Sequence, residues 1–289
     1  MNRRLRTVSQ VAFILLLMGC NPSPAPDTFL TGYQILVGSA VTVGPQGDST
    51  ASAVCPSGKV PVGGGYRTGD EAANIFDTAP LEVLNPGSNA GWQVRMKNAN
   101  FIGPSITMTP VAVCVDRPRG YVVSVGSKNL SRAQRETLSQ GCPDATVRLS
   151  GGGVATGDSQ VHVGGNAVQA GGSQWDGFFR SDYTIVPANS LVRTVAICAA
   201  IPALPDVEVV QSPTASVGLI SHSSLSVDCP TGKKALSGGV MAPESVGVIF
   251  DSAPKSDGSG WTASVRNPET FVTNVTLHAT LRAVCGTTK

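Results

Sequence analysis

Seven cysteines are the residues best placed to do covalent chemistry in this chain, and their spacing divides them. Cys20 stands alone near the N-terminus, where a thiol could carry acyl chains. The other six fall two at a time into three stretches of similar sequence: Cys55 and Cys114, Cys142 and Cys198, Cys229 and Cys285. Six cysteines allow fifteen connectivities, and the repetition favours pairing within each stretch. No Cys-x-x-Cys is present and only three histidines are, so the donors for a zinc site are not assembled and no metal is expected.

Charged residues also recur in register. Each repeat holds one tryptophan, Trp92, Trp175 or Trp261, and five residues later a cation, Lys97, Arg180 or Arg266. The residues at the parity of the tryptophan are Val94 and Met96, Gly177 and Phe179, Ala263 and Val265. On a strand this puts each indole on the apolar face, as a core plug rather than a stacking platform for sugars. The cations fall on the opposite face, where they are candidates for equivalent ligand contacts. Asp77 and Asp251 share the phrase Phe-Asp-Thr/Ser-Ala-Pro and are further candidates, for a sugar hydroxyl or as caps of a local turn. The second repeat reads VHVGGNAV instead of that phrase, which favours the structural role.

Catalysis finds little. His162, His222 and His278 fall at unrelated repeat positions. Gly-Asp-Ser triplets end at Ser49 and Ser159 without the rest of a hydrolase site, and there is no G-x-S-x-G and no metalloprotease pair. No catalytic residue and no cofactor is assigned, and an enzyme ranks third among the readings. The net charge of +2 gives no basic excess to neutralise phosphates, so nucleic acid is excluded as a partner.

The elements that must position these residues are short. Glycine (33) and proline (20) interrupt runs of Val, Thr and Ser, and charged residues make only 14% of the chain, which points to many strands joined by tight turns. Three stretches run from Cys-Pro to a glycine cluster: CPSGKVPVGGG from Cys55, CPDATVRLSGGG from Cys142, CPTGKKALSGG from Cys229. Counted from the cysteine, Val62, Leu149 and Leu236 share a position, as do Gly64, Gly151 and Gly238, and Gly65, Gly152 and Gly239. No Lys-Ser or Lys-Thr follows the glycines, so a phosphate-binding loop is not indicated and close backbone packing is. Each repeat opens on an alternating strand and closes on Ala-Val/Ile-Cys. In the first, strands are expected at about 33–43, 50–54, 59–67, 73–77, 92–98 and 106–115. The helix-like SRAQRETLSQ at 131–140 aligns with strand or loop elsewhere and is read as loop.

The expected fold is therefore all-β: three homologous antiparallel modules of about 85 residues, at 33–118, 119–203 and 204–289. Short Pro-bearing joints favour a compact pseudo-threefold, prism-like arrangement over a row of separate sandwiches.

Before the repeats, Arg3, Arg4 and Arg6 precede a short apolar run from Val11 to Met18 that ends Leu17-Met18-Gly19-Cys20. This resembles the lipobox of bacterial lipoproteins. The resemblance implies a signal peptide over 1–20, lipidation of Cys20, a flexible tether over 21–32 and a membrane as partner through the anchor. Asn21 after the cysteine resembles an outer-membrane address. The repeats themselves resemble a small cysteine-paired module of exported bacterial proteins, most without assigned function. The function expected from these readings is non-catalytic binding of a glycan or other envelope polymer, where three equivalent sites would add avidity. A structural envelope component without a small ligand is the alternative.

Overall fold

Val-, Thr- and Ser-rich runs bounded by Gly, Pro and Asp turns form strands here, since β-branched residues suit a pleated surface and the turn residues stop each run. The computed structural model describes residues 29–131, 134–156, 161–181, 190–200, 206–242, 247–268 and 275–289. The first repeat forms β1 (Gln34–Val37), β2 (Val41–Val43), β3 (Asp48–Val54), β4 (Lys59–Arg67), β5 (Ala73–Pro80), a one-turn helix α1 (Leu81–Leu84), β6 (Gly91–Asn98) and β7 (Ile106–Asp116). The second forms β8 (Val122–Leu130), β9 (Arg135–Gly141), β10 (Thr146–Thr156), β11 (Val161–Val168), β12 (Gln174–Ser181) and β13 (Ser190–Ala200). The third forms β14 (Glu208–Gln211), β15 (Ala215–Val217), β16 (Ser221–Asp228), β17 (Lys233–Met241), β18 (Val248–Pro254), β19 (Gly260–Asn267) and β20 (Leu277–Thr287).

The fold is all-β, with three antiparallel sheets, and each sheet is built from two repeats. The first runs β1-β7-β4-β18-β19-β16, the second β3-β6-β5-β10-β13-β8, the third β14-β20-β17-β11-β12-β9. Every repeat thus gives three strands of the path to one sheet and three to the next, and the short β2 and β15 pair in addition with β7 and β20. Its two halves face each other as a lobe, with the tryptophan of one half lying over a glycine of the other: Trp92 over Gly64, Trp175 over Gly151, Trp261 over Gly238. All three indoles are fully buried, so the core reading of the tryptophans holds. Trp92 Nε1 donates to Thr78 Oγ1 and Trp261 Nε1 to Ser252 Oγ, each at 3.0 Å.

The lobes join where a glycine strand of one repeat pairs with the central strand of another. Gly153 lies opposite Thr78, Tyr66 opposite Ser252 and Val240 opposite Asn166. These seams require the second shared glycine. A Cβ on Gly65, Gly152 or Gly239 would run into the carbonyl oxygen of Ser252, Thr78 or Asn166 of the neighbouring repeat. The glycine strands β4, β10 and β17 also pack on one another around a common axis, where Val62, Leu149 and Leu236 are fully buried. Ser237 Oγ donates to Leu149 O across it at 2.8 Å. The arrangement is the compact pseudo-threefold one, with sheets shared between repeats.

Two local expectations need correction, over residues 131–140 and 21–32, and the second repeat keeps a feature that its sequence hides. Residues 135–140 of SRAQRETLSQ belong to strand β9, because β12 needs a partner on the side that β3 and β16 cover for β6 and β19. The second repeat does not lose the central phrase's place. VHVGGNAV is β11, with its register shift at Gly164 where β5 and β18 shift at Phe76 and Phe250. The expected tether over 21–32 stops short of its end. Leu30 is buried, its N–H donates to Thr287 O at 3.1 Å, and Gly32 N–H donates to Lys289 O at 2.9 Å.

Candidate functional site

The cysteines pair within repeats, Cys55 with Cys114, Cys142 with Cys198 and Cys229 with Cys285. Each bridge ties the two sheets of one lobe together at the end where the Cys-Pro turns lie. Cys114, Cys198 and Cys285 are fully buried, which leaves them a structural part. Three disulfides place the folded chain in an oxidising compartment. No helix among the described residues is long and apolar enough to cross a membrane. Cys20, the expected lipid site, lies outside the described residues, as does Ser159. Ser49 is on β3 opposite Met96.

Asp77 and Asp251 follow the shifted residues Phe76 and Phe250. Asp77 is buried, and its Oδ1 accepts the backbone N–H of Ala155 in the second repeat at 2.9 Å. Asp251 Oδ2 accepts the N–H of Thr68 in the first repeat at 3.3 Å. Ala155 and Thr68 stand at the same place after their Cys-Pro turns. The two aspartates therefore bond across seams and do not cap a turn of their own repeat. Burial pushes the Asp77 carboxyl up to about 6, against the Ala155 N–H and the charges of Arg95 and Arg193. Burial also raises Asp251, against the Thr68 N–H and Arg67.

Lys97, Arg180 and Arg266 occupy equivalent places near the ends of β6, β12 and β19, at the end of the molecule away from the disulfides. Each is half-buried rather than fully solvated. Arg266 reaches another repeat. Its Nη2 donates to Asn74 Oδ1 at 3.0 Å, and it lines a polar recess of about 300 Å³ with Glu71, Ala72, Ala99 and Asn100. Glu71 Oε1 lies 2.5 Å from His222 Nδ1, and the His222 ring meets Phe250 edge-on. His162 is buried and His278 is exposed.

The β6–β7 loop forms one wall of the recess. Asn98 Nδ2 donates to Val43 O and Pro104 O, both at 3.1 Å, and Gln46 Nε2 donates to the carbonyls of Ala99 and Asn100. So braced, the loop projects Phe101 and Ile102, which are 81% and 88% exposed. Asn267 makes the corresponding bonds in the third repeat, to Val217 O and Val275 O. Sequence reasoning missed this pair, although the signal was present: an asparagine six residues after the tryptophan in repeats one and three. It also missed Glu71 and Asn100 and set His222 aside, because their neighbours come from different repeats.

A guanidinium, a carboxylate with a histidine partner, and the half-buried amide of Asn100 converge here, next to the loop that exposes Phe101. Such a set can hydrogen-bond a polyhydroxylated or anionic ligand. No family model matches the chain, and no curated protein matches it.

Proposed function

We propose that the chain is an exported, lipid-anchored protein that binds a glycan or related cell-envelope polymer without catalysing a reaction on it. The supporting observation is the recess around Arg266, at the end of the molecule opposite the entry of the N-terminal segment. Leu30 and Gly32 are pinned to the C-terminal residues beside the disulfides. An anchor at Cys20 would hold that end toward a membrane and turn Arg266, Glu71 and the Phe101 loop toward the envelope. The anchor rests on the Leu17-Met18-Gly19-Cys20 motif, and Asn21 supports an outer-membrane address in a double-membraned host. Sugars are bound by planar hydrogen-bonding groups beside an aromatic ring, and guanidinium and carboxylate forks suit the purpose. Lys97 and Arg180 stand at the equivalent places and would add contacts along one polymer.

Cosedimentation of the mature protein with isolated cell-wall polymer, and a glycan array, test this. Arg266→Ala and Glu71→Ala should each weaken polymer binding about tenfold, or ~1.4 kcal/mol. Wild-type protein that binds neither polymer nor glycan would contradict the reading and leave a purely structural envelope component.

A further inference from the structure

The pseudo-threefold symmetry lets one place on the surface be compared three times. Between neighbouring lobes the outer face of each sheet forms a cleft. Its floor is set by pairs that the strand register makes equivalent: Val37 opposite Val111, Val125 opposite Val195, and Gln211 opposite Arg282.

On the second sheet this cleft is covered over Val195 and Val123, while Val125 at its edge stays 45% exposed. Ten residues join β5 to β6, and they include helix α1. Val83 and Leu84 pack there on Val154, Val195 and Val123. On the third sheet the connection from β11 to β12 is only five residues, too short for such a cover. The floor there is polar instead. Arg282 Nη1 donates to Val168 O at 2.9 Å, and Asp176 Oδ1 accepts from Ser139 Oγ at 2.6 Å and from Gln169 Nε2 at 2.9 Å.

The first sheet combines the two cases. Its connection from β18 to β19 is again five residues, closed by bonds between Lys255 and Gly260 and between Gly258 and Lys255. Its floor nevertheless stays apolar. Ile35, Val37 and Val111 line a cleft of about 560 Å³ with Arg67, Lys255 and Thr262. Val37 is 65% exposed. An apolar floor without a cover is costly in water, and the same chain shows what a cover looks like.

We infer that the cleft on the first sheet takes a short apolar turn of a partner polypeptide, seated as α1 is seated on the second sheet. The Leu-Glu-Val-Leu of α1 sets the type: aliphatic side chains toward the floor, with an acidic residue beside them. Lys255 is already paired with Asp228, so the rim charge that favours that acid is Arg67, whose guanidinium donates, among the described residues, only to the carbonyl of Pro254.

The test uses the full disulfide-bonded protein, labelled at Ile and Val methyls, and a synthetic peptide of Pro80–Ser88 (PLEVLNPGS). Methyl resonances of Ile35, Val37 and Val111 should shift on titration, and a scrambled peptide should leave them in place. Val37→Asp should abolish the shifts. Val125→Asp, at the equivalent place on the covered sheet, should preserve them. No shift at these methyls, or equal shifts with the scrambled peptide, would overturn the inference. So would a concentration-dependent dimer that Val37→Asp dissociates, because the cleft would then be an interface between copies of this chain.

Discussion

At the residue scale, the glycines and the buried aspartates divide the work of joining repeats. Gly65, Gly152 and Gly239 have no room for a methyl because a neighbouring carbonyl occupies its place. Gly65→Ala or Gly152→Ala should lower unfolding free energy by more than ~2 kcal/mol in urea titrations, since backbone cannot yield as a flexible side chain can. Gly44→Ala, where a Cβ would meet nothing within 4 Å, should change it by less than ~0.5 kcal/mol. Asp77 makes the seam pH-sensitive. Its folded carboxyl titrates at about 6, above an unfolded value near 3.9, so the folded state holds the proton more tightly. The resulting penalty is full above pH ~6 and is relieved as pH falls toward ~4, by up to roughly 3 kcal/mol. Wild type should therefore gain stability relative to Asp77→Asn between pH 7.5 and pH 4.5, read from paired melting curves. A constant difference would contradict the burial of an ionised carboxylate there. The glycine positions were legible in the sequence because three copies align without a gap. The partner of each was not, since a carbonyl from another repeat leaves no mark on local pattern. Asp77 and Asp251 failed to declare their role for the same reason.

At the element scale, alternation and turn residues placed the strands of the first repeat within a few residues, because each has one face in a lobe's core. They could not separate β9 from a helix-like loop. Arg135, Glu136 and Gln140 suit a helix locally, and only pairing with β12 makes the segment a strand. Nor did composition show that VHVGGNAV keeps the register of β5 and β18, because the conserved feature is a backbone shift and not a side chain. Within-repeat pairing of the cysteines was legible from repetition. What each bridge does becomes clear only in the fold, where it fastens one sheet to the next across a lobe. The bridges close 59, 56 and 56 residues, worth on the order of 4 kcal/mol each in the chain-entropy model. Replacing Cys142 and Cys198 together by serine should lower the urea midpoint substantially. An unchanged midpoint would mean that the lobe is held by the Trp175 core alone.

At the scale of the whole molecule, the period of about 85 residues suggested three modules, and the structure shows why none is complete. Each lobe is fastened internally by a disulfide and a tryptophan, yet both of its half-sheets continue into other repeats. An isolated repeat would leave one glycine strand and one central strand with unpaired edges, a state that favours association over folding. The polarity of the body follows from the same topology. Cys-Pro turns and both described chain ends gather at one end, and the Arg266 recess lies at the other. An anchor at Cys20 would make this orientation functional, and mass spectrometry of the mature N-terminus should find an acylated cysteine at that position. The feature on which the rest depends is the sharing of sheets between repeats. Differential scanning calorimetry of the oxidised protein tests it most directly. A single transition is expected, with van 't Hoff and calorimetric enthalpies equal. Separate transitions, with residues 33–118 alone melting as they do in the full chain, would contradict it.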